Sequence, residues 1–142
     1  MTLRNDALFC VRSRRTGMST DISEARIGTL VDAFYTKVRL DPEIGPIFHA
    51  VVDDWPHHLA LLKDFWSTVL LTTGRYKGDP AMRHMQLGLD AQHFERWLAL
   101  FVETARETFS AESAELIIEK ARRIGRNLQE AAAHTREKQR LV

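Results

Sequence analysis

The side chains of this sequence that are best suited to bind a metal or transfer a proton are six histidines: His49, His57, His58, His84, His93 and His134. Two of them are adjacent and lie near the start of the segment WPHHLALLKDFW, residues 55–66, whose apolar residues recur at helical spacing. At about 100° per residue, Leu62 and Phe65 lie within about 40° of His58, whereas His57 points about 100° away. His58 is therefore expected on the apolar face of a helix, either as a core histidine bonded to a carbonyl oxygen or as a group that faces a ligand.

A second histidine of interest is His84, in the short helical segment RHMQL that follows Asp79-Pro80. No two histidines have the spacing of a zinc site, and Cys10 is the only cysteine, so neither a zinc motif nor a Cys-x-x-Cys-His site for covalent haem is present. The sequence also lacks a nucleophile elbow and a glycine-rich phosphate loop. Histidines on two separate helices fit a large, flat, apolar ligand with one metal, such as haem, whose iron is bound by one neutral imidazole. Spacing alone does not distinguish histidines that face haem from ordinary core histidines.

The elements that must position these side chains are helices, because strand-like alternation is sustained nowhere. A capping box formed by Asp21 and Glu24 is expected to open the first long helix. After it, the pairs Asp41-Pro42 and Gly45-Pro46 predict an irregular corner. The apolar face of the first helix consists of Ile27, Val31, Phe34 and Val38, with Leu30 and Tyr35 at its edges.

Four further helices are predicted beyond the corner. The second long helix spans residues 55–72, and a short helix over 81–87 follows it. Asp90 opens the third long helix, and the fourth begins near Ala111. Their core faces consist of Phe94, Trp97, Leu98, Phe101 and Ala105 in the third helix and of Ile117, Ala121, Ile124, Leu128 and Ala132 in the fourth. The sequence therefore predicts an all-α domain of four long helices and a short fifth.

Length and composition indicate one globular domain. The 142 residues, of which 44% are hydrophobic and 27% charged, suffice for a single core. A net charge of +1 gives no reason to expect nucleic acid or an anionic membrane as a partner, and no apolar run reaches the roughly 18 residues that span a bilayer. We expect a cytoplasmic protein with a disordered N-terminal extension over 1–20, a domain over 21–133 and a frayed polar tail over 134–142.

Four segments carry a resemblance to a known family: AFYTKVRLDPEIGPIF, WPHHLALLKDFW, TGRYKGDPAMRH and HFERWLALF. In this order and spacing they resemble the truncated haemoglobins of group III, over about residues 22–128. The absence of a Gly-Gly pair fits this group, because groups I and II carry glycine pairs near their inter-helix loops. The resemblance implies a truncated globin fold, a two-over-two helical sandwich around noncovalently bound haem b (iron protoporphyrin IX).

The resemblance also implies roles for individual residues. His84 would bind the iron on the proximal side. The distal, ligand-binding side would be formed by Tyr35, His58, Leu62 and Trp97. Residues that would contact the haem or form the wall of its pocket are Phe34, Phe48, Phe65, Trp66, Tyr76, Arg83 and Phe94. Of these, Phe48 takes the position that stacks on the porphyrin, whereas Tyr76 and Arg83 either meet a propionate or face solvent.

A protein of this family is expected to bind O2, NO, CO or other small ligands. The Tyr35 hydroxyl and the Trp97 indole N–H could donate to bound O2, and each bond to a charged acceptor contributes about 1.5–3 kcal/mol. Strong retention would favour chemistry over oxygen transport, so the alternative is a nitric oxide dioxygenase or peroxidase-like enzyme served by a reductase. A haem-free helical interaction module is the third interpretation. We expect a monomer or weak dimer, with no side chain assigned a catalytic role.

Overall fold

The computed structural model describes residues 21–77 and 90–141, with side chains described as far as residue 130. The helices in these ranges are α1 (Glu24–Leu40), α2 (Gly45–Val51), α3 (Trp55–Leu71), α4 (Ala91–Thr108) and α5 (Ala111–Leu141). No strand occurs in the described residues, and none of their helices is long and apolar enough to cross a membrane. The all-α prediction is confirmed, while the short helix predicted over 81–87 lies outside the described residues.

Helix α1 begins at Ser23 as its N-cap, so the predicted capping box of Asp21 and Glu24 is wrong. The Oγ atom of Ser23 accepts a hydrogen bond from the backbone N–H of Arg26 at 3.2 Å. Asp21 accepts instead from the backbone N–H of Ser110 at 2.7 Å. Its carboxylate therefore accepts a hydrogen bond just before the start of α5, a segment that lies near Asp21 only in the folded chain.

Residues 41–44 form the non-helical turn that the sequence predicts after α1, but α2 begins at Gly45, so the second half of the predicted irregular corner is wrong. Pro46 lies in the first turn of α2, where its missing N–H loses no hydrogen bond. The Oδ2 atom of Asp41 accepts from the backbone N–H groups of Glu43 and Ile44, each at 2.9 Å, and Oδ1 accepts from Arg96 Nε at 2.7 Å. Burial opposes the charge, but the Ile44 N–H and the Arg96 guanidinium hold the pKa of Asp41 below its usual value. This buried carboxylate ties the start of α2 to α4.

Helix α1 lies at the centre of the fold, because it packs against α2, α3 and α4, while α4 packs against α5. The four apolar residues predicted for its inner face and the two predicted at the edges of that face are all buried. Across from them, the ring of Phe101 is stacked between Trp97 and Trp66, with interplanar angles of 17° and 23°. Helices α3 and α4 therefore meet through an aromatic stack in the core.

Helix α5 continues to Leu141, whereas the sequence predicts a frayed tail from residue 134. The segment HTREKQRL is rich in arginine, glutamate, lysine, glutamine and leucine, all of which have high helix propensity. Residues 134–141 thus continue the helix, and fraying of this tail stays a prediction.

Alanine substitutions at two glycines are expected to change the stability of the fold in opposite directions. A Cβ atom at Gly45 would lie 2.8 Å from the carbonyl oxygen of Arg39 and 3.0 Å from that of Val38, backbone atoms that cannot rotate away. Overpacking should therefore make Gly45→Ala lower the free energy of unfolding by about 1–3 kcal/mol. A Cβ atom at Gly125, within α5, would meet no atom of the described residues within 4 Å, so Gly125→Ala should raise that free energy by about 1 kcal/mol, the helix cost of glycine. Chemical denaturation measures both changes, and shifts of the same sign would contradict this packing.

Candidate functional site

A pocket lies among α1, α3, α4 and α5, with about 590 Å³ of space between and in front of its lining atoms, open solvent included. The residues that line it are Tyr35, His58, Leu61, Leu62, Phe65, Trp66, Tyr76, Trp97, Ile124 and Leu128. Its wall is mostly apolar with a few polar side-chain atoms, as is usual for small-molecule sites. The pocket therefore has the composition of a site for a large apolar ligand.

Tyr35 projects into this pocket from the inner face of α1 and is only 1% exposed. Burial raises the pKa of its phenol to about 12, although the Trp97 indole opposes the rise. Phe34 packs edge-on against the Tyr35 ring at 4.6 Å between centroids, and Phe48 packs against it at 6.1 Å. The phenol is thus held in place and stays protonated, so it remains a hydrogen-bond donor at any physiological pH.

Trp97, on α4, supplies a second donor to the pocket. The residue is 4% exposed, and its buried indole N–H has no hydrogen-bond partner among the described residues. The indole influences the pKa of Tyr35, but its geometry falls short of a hydrogen bond to that hydroxyl. Because leaving a buried N–H unsatisfied costs about 1–3 kcal/mol, this group favours the binding of a polar ligand atom in the pocket.

The two adjacent histidines of α3 have different surroundings. His58 lines the pocket, and its ring lies 5.9 Å from the Tyr35 ring with 89° between the planes. His57 is exposed, and its backbone N–H donates to the Asp54 carboxylate at 3.1 Å. Leu62, one turn beyond His58, lines the same wall. His58, which helical spacing places on the apolar face of α3, is therefore the imidazole that reaches the pocket.

The loop over residues 72–77 brings Tyr76 to the pocket. The Tyr76 ring packs edge-on against Phe65 at 5.4 Å between centroids. Its backbone N–H donates to Thr68 Oγ1 at 2.9 Å, which fastens the loop to α3. Tyr76 is therefore held against the wall at the point where the chain leaves α3.

The remaining residues that the resemblance places at the haem fall into three groups. Those that line the pocket are Phe65, Trp66 and Tyr76. Those that are buried in the core and are not part of the pocket wall are Phe34, Phe48 and Phe94. Those that lie outside the described residues are Arg83 and the predicted proximal ligand, His84.

Three of the residues that line the pocket were not predicted from the sequence as part of the site. Leu61 lies beside the stripe centred on His58, and Ile124 and Leu128 belong to the predicted core face of the last helix. Helical spacing identifies such residues as inward-facing, but it does not separate a pocket wall from solid core. His93 completes a capping box, because its Nδ1 atom accepts from the backbone N–H of Asp90 at 3.2 Å.

The raised pKa of Tyr35 predicts a loss of stability at alkaline pH. The phenol titrates near 10.0 in the unfolded chain and near 12 in the folded protein. Its stabilising contribution is thus complete below pH 10.0 and falls by about 1.4 kcal/mol per pH unit as the pH rises towards 12. Urea unfolding across this range should show a shallower decline for Tyr35→Phe than for the wild type. Parallel curves for the two proteins would contradict a buried neutral phenol.

Comparisons of the sequence with known proteins point to one family. Residues 22–134 match the family model described as bacterial-like globin. The chain is also 34% identical over 113 residues to the Group 3 truncated hemoglobin ctb of Campylobacter jejuni, a match that covers 76% of this chain and 89% of that protein.

Comparisons of the structure agree with those of the sequence. The crystal structure of the group III truncated hemoglobin from Campylobacter jejuni matches with a TM-score of 0.71 and 35% identity, covering 77% of this chain and 90% of that one. The group II truncated hemoglobin from Bacillus anthracis matches with a TM-score of 0.66 and 25% identity, covering 75% and 84%. Both kinds of similarity thus extend over about three quarters of this chain.

Proposed function

The chain belongs to the group III truncated haemoglobins, within the bacterial-like globin family, and we propose that it binds haem b noncovalently and takes up O2 and other small diatomic ligands reversibly. The ligands would be held on the side of the pocket formed by Tyr35, His58, Leu62 and Trp97. The observation that carries this proposal is the buried Trp97 N–H, which has no hydrogen-bond partner among the described residues and opens on a mostly apolar pocket.

The residues of the pocket fit a haem group. Aromatic and aliphatic side chains, among them Phe65, Trp66 and Ile124, offer the apolar surface that a porphyrin ring requires. The donors of Tyr35 and Trp97 would then meet the small ligand, and not the porphyrin itself.

The iron would be bound by His84, which stands in the segment RHMQL at the family's proximal position. When bound, haem supplies a reducible iron that binds O2 and polarises it. The chain supplies the imidazole, an apolar wall that excludes water, and two hydrogen-bond donors.

Tyr35 and Trp97 are suited to retain a polarised ligand. The phenol is kept protonated by a pKa of about 12, and an indole N–H can only donate. Each hydrogen bond to a charged acceptor contributes about 1.5–3 kcal/mol, which corresponds to roughly 10- to 150-fold slower release. We therefore expect slow O2 release.

Reversible uptake of O2 tests the proposed function. The full-length protein is loaded with haem b and reduced, and its absorption spectrum is recorded under nitrogen, then O2, then nitrogen again. The spectrum should change with O2 and return without it. Oxidation with no reversible phase would contradict reversible binding, and a protein that takes up no haem would be the haem-free interaction module.

Nitric oxide dioxygenase activity is the second candidate function. It is favoured by the two donors that reach one pocket, because slow release of O2 leaves time for reaction with NO. Sustained turnover would need a reductase as a partner. Stopped-flow mixing of the O2-loaded protein with NO should show repeated turnover only when a reductase is added, whereas a peroxidase-like enzyme would oxidise a dye with hydrogen peroxide.

A further inference from the structure

Trp55, the first residue of α3, packs against two residues that line the pocket. Its ring centroid lies 5.5 Å from that of His58, with 89° between the planes, and 6.2 Å from that of Tyr35. Trp55 is half-buried and is not part of the pocket wall. It therefore supports His58 and Tyr35 from outside the pocket.

Two residues from other helices hold the Trp55 ring. The guanidinium of Arg39, at the end of α1, lies 4.6 Å from the ring centroid, in the geometry of a cation–π contact. His49 of α2 packs against the same ring at 5.8 Å, and its Nε2 atom lies 3.2 Å from the carbonyl oxygen of Arg39. Arg39, His49 and Trp55, here termed the tryptophan clamp, thus join three helices beside the pocket.

The clamp restricts the movement of the His58 side chain. The imidazole has Tyr35 at 5.9 Å and Trp55 at 5.5 Å, each with its plane at 89°. Rotation of the imidazole away from Tyr35 is opposed by the Trp55 ring. The Trp55 ring is in turn held by its contact with Arg39, whose guanidinium lies over its face.

We propose that Trp55 is a positioning residue that holds the His58 ring against Tyr35 and thereby limits the rate at which small ligands reach the pocket. This inference rests on the proposed ligand binding. Trp55 does not touch the ligand in this scheme. It acts through His58, and Arg39 acts through Trp55.

The first experiment reads the position of His58 by NMR. The sample is the full-length protein, reduced and saturated with CO if it carries haem. Nuclear Overhauser effects between the ring protons of His58 and Tyr35 should weaken in Trp55→Leu and in Arg39→Met, which removes the cation but leaves the Trp55 ring. They should return in Arg39→Lys, because lysine restores the cation.

The second experiment measures CO association after flash photolysis. Trp55→Leu should accelerate it roughly three- to tenfold, a coupling typical of residues in contact, and Arg39→Met should act in the same direction. The double variant Trp55→Leu, His58→Leu should associate no faster than His58→Leu alone. His57→Leu is the matched control, because the neighbouring imidazole is exposed, and it should leave the rate unchanged.

Unchanged CO association in Trp55→Leu would overturn the proposal. So would a double variant whose acceleration is the product of the two single effects, because Trp55 would then act independently of His58. If Trp55→Leu does not fold, Trp55→Phe and Arg39→Met provide the same comparison. If the protein binds no haem, the proposed function fails by itself, and the NMR experiment still decides whether Trp55 holds His58.

Discussion

The His84→Ala variant is expected to lose stable haem binding. Cys10 is the only cysteine and lies in no attachment motif, so haem would be bound noncovalently with one bond from the protein to the iron. Removing that imidazole leaves only the apolar wall to retain the porphyrin. The Soret band of the purified variant, measured against the absorbance at 280 nm, should fall to near zero, and added imidazole should restore part of it.

His93→Ala is the matched control for this variant. His93 caps the first turn of α4 through the backbone N–H of Asp90 and does not line the pocket. Its loss should lower stability slightly, by about 1 kcal/mol as for other helix caps, and leave the Soret band intact. A His84→Ala protein with a normal Soret band, together with loss of the band in His93→Ala, would show that the proximal assignment is wrong.

Tyr35→Phe is expected to accelerate O2 dissociation by about one to two orders of magnitude, the equivalent of a lost charge-assisted hydrogen bond of about 1.5–3 kcal/mol. The substitution keeps the ring that packs against Phe34 and Phe48 and removes only the hydroxyl. CO is far less polarised than O2, so its dissociation should change much less. Stopped-flow displacement of each ligand measures both rates.

The comparison of the two ligands separates hydrogen bonding from a loosened pocket. Equal acceleration for O2 and CO would make Tyr35 a packing residue and not a donor. The double variant Tyr35→Phe, Trp97→Phe should depart from additivity, because the two groups lie close enough for the indole to influence the pKa of the phenol. Additive effects would mean that the two donors act on the ligand independently.

Helical periodicity was sufficient to identify the inner face of α1 and to choose His58 over His57. Both depend on the angle between residues of one helix, which sequence spacing fixes directly. The resemblance then placed Tyr35, Leu62 and Trp97 beside His58, and the structure brings all four to the same pocket. Their roles towards haem and its ligands stay predictions.

Features that depend on contacts distant in sequence were not predictable in this way. Asp21 has the spacing of a local cap, but its carboxylate accepts from Ser110, 89 residues away. The helical corner at Gly45 depends on the buried Asp41 carboxylate and on Arg96, 55 residues further along. The clamp around Trp55 likewise joins three helices, so neither its cation–π contact nor its ring contacts follow from spacing within one of them.

We have proposed that the pocket lined by Tyr35, His58 and Trp97 binds one haem. Titration of the haem-depleted, full-length protein with haem b tests it most directly, followed by the Soret absorbance and by tryptophan fluorescence. Trp66 and Trp97 line the pocket, so bound haem should quench their emission strongly as the Soret band rises, and both signals should saturate at one haem per chain. A Soret band that rises without saturation, or saturates while the fluorescence is unchanged, would mean that haem is not bound in this pocket and would contradict the account.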